Sequence, residues 1–462
     1  MWYNFAMNRK NAMGSVNTIA FLLAAGAICV SAAASAAPRR KTVGPGPKWI
    51  VNYDESKVPP YKLEDPLSFA DGTKLRSPAE WPRRRNEILG IFAREMYGQP
   101  PPPPETVVAE TVEEGVALAG FAVRRQVRMW FRKDRSGPHL DWLILMPRHL
   151  KGPFPLLMGL NYQGNHSLMR DPKVLIPANT WLQSIKTGHK PVEARRGYRS
   201  DPDGGSIFPA DMVLARGYAV MTACYGQVSP DPRFNDPDPA NRPHARAYQG
   251  VFDLWGPRDE SRTDDISSFG AWAWALSRGL DLASRTKELD ASRCLVTGFS
   301  RLAKAALLAA ARDERFAACV PVQCGAGGVQ LLKRDFGETV AVINTAFPHW
   351  FCRAYAKYSD NEDAMPFDQH LLLASLAPRP VLVLGFGDPW YDTRGEYLSC
   401  RAASPVWEFL GKPGFPDVPF PPPYDLSCLG TSIGYIHRTE KHGMAACDWT
   451  WIMDFADRVF HH

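Results

Sequence analysis

Leu295-Val296-Thr297-Gly298-Phe299-Ser300-Arg301-Leu302-Ala303-Lys304 runs an apolar strand into Gly-x-Ser and, with no linker, on into a helix of small residues. A serine hydroxyl is a weak nucleophile unless a sharp turn exposes it beside a base. A strand-to-helix elbow does this: it strains the backbone, lifts the oxygen above the sheet edge and aims the first N–H groups of the helix at a developing oxyanion. Gly298 lets the turn close. The usual second glycine of G-x-S-x-G is replaced by Leu302. Without chemistry, the same stretch reads as a strand, a turn and a helix capped by serine.

Working outward, short apolar runs alternate with amphipathic stretches. Strands are predicted at 121–131, 140–146, 156–162, 219–224, 294–297, 318–323 and 381–386, with another at 435–438. The later ones are continuous apolar runs, as expected of strands buried on both faces. Helical patterns cover 81–98, 264–283, 303–312 and 448–460. This alternation predicts an α/β fold with a mostly parallel central sheet. Residues 167–213 and 227–258, rich in Asp, Pro, Gly, Arg and His, read as long loops of the kind that shape a site's rim. The stretch 411–427 is a Pro-rich surface excursion.

In elbow hydrolases the acid and the histidine follow the serine in that order. The strand 381–386 ends in Gly-x-Gly-Asp, which makes Asp388 the candidate acid and Asp392 its rival. His442, in a loop before the last helix, is the candidate general base, with His437 as rival.

Composition narrows the class. Charged residues at 22% and aromatics at 11% exclude disorder, and 54 basic against 48 acidic residues leave a charge of +6, too mild and interspersed for a nucleic-acid binder. Arg9 and Lys10 precede an apolar run, 18–30, and an Ala34-Ser35-Ala36 cleavage site, the order of a secretory signal peptide. The predicted organisation is a signal peptide over 1–36, a Pro-rich lead-in over 37–79 and one catalytic domain over 80–462. Cleavage removes Cys29 of the nine cysteines. No C-x-x-C pair marks a zinc site, and zero to three disulfides are expected.

The run around Ser300 resembles the G-[CHF]-S-R-x-G-K signature of the glucuronoyl esterases, carbohydrate esterase family 15. So do Asp313-Glu314-Arg315-Phe316, Cys324-Gly325-Ala326-Gly327-Gly328, Gly337-Glu338-Thr339, Phe347-Pro348-His349-Trp350-Phe351, Pro366-Phe367-Asp368-Gln369-His370 and Ala377-Pro378-Arg379-Pro380. The likeness spans roughly residues 80–460. It implies an α/β-hydrolase fold with long loop insertions, Ser300 as nucleophile, His442 as base, and Arg301 as oxyanion-hole residue through its N–H and guanidinium. Lys304, Glu338 and Trp390 match the positions that hold the glucuronate. Two departures stand out. Ala303 replaces a glycine, and Gln323 stands where many members carry a glutamate as the triad acid. Glutamine has no charge to stabilise imidazolium, which shifts the expected acid to Asp388.

The expectation is a secreted or periplasmic serine esterase acting on (4-O-methyl-)glucuronate esters, as in lignin–glucuronoxylan cross-links. It needs no metal or organic cofactor, binds no nucleic acid, keeps no membrane segment after signal cleavage and works as a monomer. The alternatives are an acetyl xylan esterase or other carboxylic-ester hydrolase on the same fold, and a non-catalytic carbohydrate-binding member.

Overall fold

The structure is a computed structural model that describes residues 42–44, 46–177, 180–182, 196–197, 208–234, 240, 242–259, 261–422 and 432–460. The predicted signal segment 1–36, much of the 167–213 loop and Cys428 lie outside the described residues. The chain divides into two compact units, Met1–Trp49 and Ile50–His462. In the first, β1 (Thr42–Gly44) and β2 (Gly46–Lys48) pair antiparallel.

The second unit is built on a nine-stranded sheet. Its strands are β3 (Val108–Ala117), β4 (Ala122–Trp130), β5 (His139–Pro147), β6 (Phe154–Asn161), β7 (Ala219–Cys224), β8 (Leu289–Phe299), β9 (Ala318–Val322), β10 (Val381–Phe386) and β11 (Ile433–Arg438). The spatial order is β11-β10-β9-β8-β6-β7-β5-β4-β3. From β11 to β7 all neighbours run parallel, and β5, β4 and β3 add an antiparallel wing. This is the mostly parallel sheet that the apolar runs predict: β6, β7, β9 and β10 are buried at every position. The strand β3 was not anticipated. Its sequence, VAETVEEGVA, is charged and largely exposed because it forms the sheet's outer edge, where carboxylates discourage pairing with another chain.

The lead-in from Ile50 onward is built into this unit. Phe69 and Leu75 are buried, Glu64 pairs with Lys333 at 2.5 Å, and Glu55 pairs with Arg334 at 2.6 Å.

Helix Arg301–Arg312 packs on β8, β9 and helix Ser268–Ala283, and Leu302 through Ala311 are all buried. Alanines make this close approach possible. Its last carbonyls are taken by arginines: Arg85 donates to Ala311 O at 2.5 Å and Arg379 to Ala310 O at 2.7 Å, which satisfies the orphan acceptors and complements the negative helix end. At the other end, β8 and the helix almost touch. A Cβ on residue 298 would lie 2.2 Å from Leu302 O.

Gly298→Ala should therefore lower folding stability by about 1–3 kcal/mol, as overpacked sites do. Urea denaturation followed by tryptophan fluorescence measures this, and an unchanged midpoint would refute the close-approach constraint.

Candidate active site

Ser300 stands between β8 and helix Arg301–Arg312 with φ 58° and ψ −126°. This region is strained for a residue with a Cβ, by roughly 1–3 kcal/mol, and such strain concentrates at functional sites. The turn is pinned by Ser300 N–H to Val322 O (2.9 Å) and by Ala303 N–H to Ser300 O (2.9 Å). The Arg301 N–H, at the first helical position, has no acceptor within the helix and is available to an anion.

His442 lies against the elbow. Its ring stacks on Phe299 (centroids 4.5 Å, planes 28° apart) and on Tyr391 (4.5 Å, 12°). Nδ1 faces the Gln323 Oε1, and Nε2 meets the Tyr391 hydroxyl at 3.1 Å. An acceptor at Nδ1 fixes the proton there and leaves the Nε2 lone pair for base chemistry. Burial pushes the imidazole pKa down to about 3, and the charges of Arg301, Lys304 and Arg438 add to the effect.

The hydrogen bonds of His442 run to residues other than the expected acid. Both ring nitrogens of His442 have partners, and neither is Asp388. Asp388 instead caps the turn Pro389–Tyr391, its Oδ1 accepting from Trp390 N–H at 3.1 Å. Gln323 reaches Nδ1 because it ends β9 in a left-handed conformation, φ 47°, held by its N–H to Leu384 O at 2.7 Å. That bend turns the buried amide into the site. The rivals also have partners elsewhere. Asp392 is a buried helix cap, accepting from Gly395 N–H (3.0 Å) and pairing with Arg334 (2.9 Å). His437 lies on β11 against Phe420.

The guanidinium of Arg301 is fixed by Asp231, which is fully buried. Asp231 also accepts from Trp350 Nε1 (2.7 Å), contacts His349 Nε2 (3.0 Å) and receives the Tyr225 hydroxyl (3.2 Å). Burial alone would raise its carboxyl pKa, but Arg301, His349 and Trp350 outweigh burial and hold it below the usual range. Arg301 lies over Phe347 and Trp350, at 5.0 and 4.9 Å from the ring centres.

Lys304 and Glu338 face each other at 3.9 Å, both buried, and the Lys304 ammonium lies 5.0 Å from the Trp350 ring. Burial moves both toward neutrality, Lys304 down and Glu338 up, while their mutual attraction opposes it. Trp390 joins them: its carbonyl accepts the Glu338 N–H at 2.8 Å. Thus Ser300, His442, Arg301, Lys304, Glu338 and Trp390 converge, and Asp388 supports the turn that carries Trp390. Asp231, Tyr391 and Tyr53 escaped the sequence reading, and Gln323 was discounted. Tyr53, from the lead-in, is close enough to Asp388 and Glu338 to have its phenol pKa raised, by burial first and then by those carboxylates. Among the described residues no group of three or more His, Cys, Asp or Glu could hold a metal, and no helix is long and apolar enough to cross a membrane.

Comparison with known proteins places this arrangement. A family model described as "Glucuronyl esterase, fungi" matches residues 233–411. A carbohydrate esterase of an unknown prokaryotic organism is 36% identical over 419 residues, covering 89% of this chain and 92% of that protein. A 4-O-methyl-glucuronoyl methylesterase of Cerrena unicolor is 27% identical over 379 residues, covering 78% of this chain and 64% of that longer protein. Among solved structures, a promiscuous CE15 esterase from a marine bacterial metagenome superposes with a TM-score of 0.79 at 35% identity, covering 89% of this chain and all of that one. A glucuronoyl esterase from Solibacter usitatus gives a TM-score of 0.76 at 34% identity, covering 88% of this chain and 100% of that one. With its α/β-hydrolase fold and these relatives, the chain belongs to the glucuronoyl esterases of carbohydrate esterase family 15 and is a carboxylic-ester hydrolase.

Proposed function

We propose that this chain is an exported serine esterase that cleaves esters of glucuronic or 4-O-methylglucuronic acid, such as those joining glucuronoxylan side chains to lignin alcohols. The observation that carries the reading is the strained Ser300 elbow beside a histidine whose Nδ1 faces an acceptor. Ser300 attacks the ester carbonyl and His442 takes up the proton. The oxyanion forms against the Arg301 N–H and in the field of a guanidinium that Asp231 holds still, so little reorganisation accompanies charge development. His442 then protonates the departing alcohol, and water hydrolyses the glucuronoyl-enzyme by the reverse proton path. Lys304 and Glu338 bracket the sugar hydroxyls, and the Trp390 indole offers the ring an apolar face. Gln323 sets the tautomer of His442 without charge. Asp388 acts at one remove, through the turn that bears Trp390 and Tyr391. Export rests on the signal pattern of Arg9, Lys10 and the Ala34-Ser35-Ala36 site.

Activity on benzyl glucuronate and on acetylated xylan tests the reading. The glucuronate ester should give the higher kcat/KM, and Ser300→Ala should lower it by at least about 10³-fold. A preference for acetylated xylan would reassign the substrate, and failure of a fluorophosphonate to label Ser300 would remove the nucleophile.

The placement of Gln323 and Asp388 predicts an order of effects. Gln323→Ala should lower kcat by about 10–100-fold, whereas Asp388→Asn, which keeps an oxygen to cap the turn, should lower it less than about tenfold. The opposite order would restore Asp388 as the acid.

A pH prediction follows with its sign. A carboxylate at Nδ1 favours the protonated ring, so Gln323→Glu raises the His442 pKa from its low value. In the native enzyme kcat/KM should hold down to about pH 5, because the imidazole stays neutral there. In Gln323→Glu the acid limb should move to higher pH. Coincident profiles would contradict the contact.

A further inference from the structure

Glu396, in the first turn of helix Thr393–Ala403, carries a fully buried carboxyl. Its Oε1 accepts the N–H of Gly325 at 2.8 Å. Gly325 stands two residues beyond Gln323, in the turn that leaves β9. We propose that Glu396 is a positioning residue: by holding Gly325 it fixes the bend that brings the Gln323 amide onto His442 Nδ1.

The bend is short and needs holding. Two of its three residues lie in the left-handed region, Gln323 at φ 47° and Gly325 at φ 58°. A residue with a Cβ, such as Gln323, stays there only when its surroundings over-determine it. Upstream, the Gln323 N–H donates to Leu384 O at 2.7 Å. Downstream, Glu396 takes the Gly325 N–H, and Gly325 O accepts from the N–H groups of Gly328 (2.9 Å) and Gln330 (3.3 Å). The Tyr391 ring packs on Gly325 as well, since a Cβ on residue 325 would lie 2.6 Å from it. With both ends of the 323–325 segment pinned, Gln323 cannot relax out of the left-handed region without breaking one of these bonds, and its amide stays on the imidazole.

The carboxyl does this as the neutral acid. Its Oε2 is buried with no hydrogen-bond partner among the described residues, and it lies against Gly385, where a Cβ would meet it at 3.1 Å. Burial pushes the Glu396 pKa up to about 8; the Asp392 charge adds to this, while the Gly325 N–H and Lys304 oppose it. At neutral pH the group is therefore mostly protonated, and its carbonyl oxygen accepts as that of a carboxamide would.

The proposal rests on the reading that Gln323 orients His442, and the test separates the two. Glu396→Met keeps the length of the side chain and removes the acceptor, whereas Glu396→Gln keeps an acceptor without charge. On benzyl glucuronate Glu396→Met should lower kcat about tenfold with KM changed less than about threefold, and Glu396→Gln should hold kcat within about threefold of native. In a Gln323→Ala background Glu396→Met should cost less than about threefold more, because its route to His442 is already cut. A native kcat in Glu396→Met would overturn the inference, as would a loss in the double variant equal to the product of the single losses. So would rapid deuterium exchange of the Gly325 amide in the native enzyme, a measurement that needs no variant to fold. An inert Gln323→Ala would remove the underlying reading and the inference with it, whereas a large loss in Gln323→Ala beside a native Glu396→Met would remove the inference alone.

Discussion

The active site depends on how closely β8 approaches the helix that follows it. With no side chain at Gly298, the carbonyl of Leu302 comes against the strand and Ser300 is forced into the left-handed region. The strain is sustained because the helix is held along its length. Ten successive residues, Leu302 to Ala311, are buried, and Arg85 and Arg379 grip the carbonyls at its far end. Arg301, just ahead of this buried run, keeps part of its surface exposed.

Charge is placed with the same economy. Arg301 and Lys304 bring two cations into a dry site, and each is matched by a buried carboxylate, Asp231 and Glu338. Removing one partner of such a pair leaves an uncompensated buried charge, which is why each cation needs its own anion. The amide of Gln323 fits this setting: it orients His442 without adding another buried charge to be balanced. Burial, with the charges of Arg301 and Lys304, biases that histidine toward its neutral form.

Much of the sheet was legible because strands buried on both faces must be apolar throughout, as at β7, β9 and β10, and the elbow was legible because its chemistry is local. What the sequence hid was non-local or polar. The strand β3 was passed over because an exposed edge selects charge over hydrophobicity. Asp388 was favoured for its charge and its place after a late strand. Which residue reaches Nδ1 is decided instead by a single backbone bend at Gln323, and that bend leaves no trace in residue type. Asp231, 70 positions from Arg301, lies within a stretch read only as rim loop. Tyr391 is next to Trp390, but nothing in its identity says that its hydroxyl would meet an imidazole across 51 residues.

Most of the described cysteines are packed into the core. Six of them, Cys224, Cys294, Cys319, Cys324, Cys352 and Cys400, are buried. Burial pushes the thiols of Cys294, Cys319 and Cys324 up, away from the reactive thiolate. These sulfurs behave as small apolar side chains, closed to oxidants and to exchange partners alike until the core opens. For these six, the opening of the core, and not the redox poise around the folded protein, therefore sets when oxidation can begin.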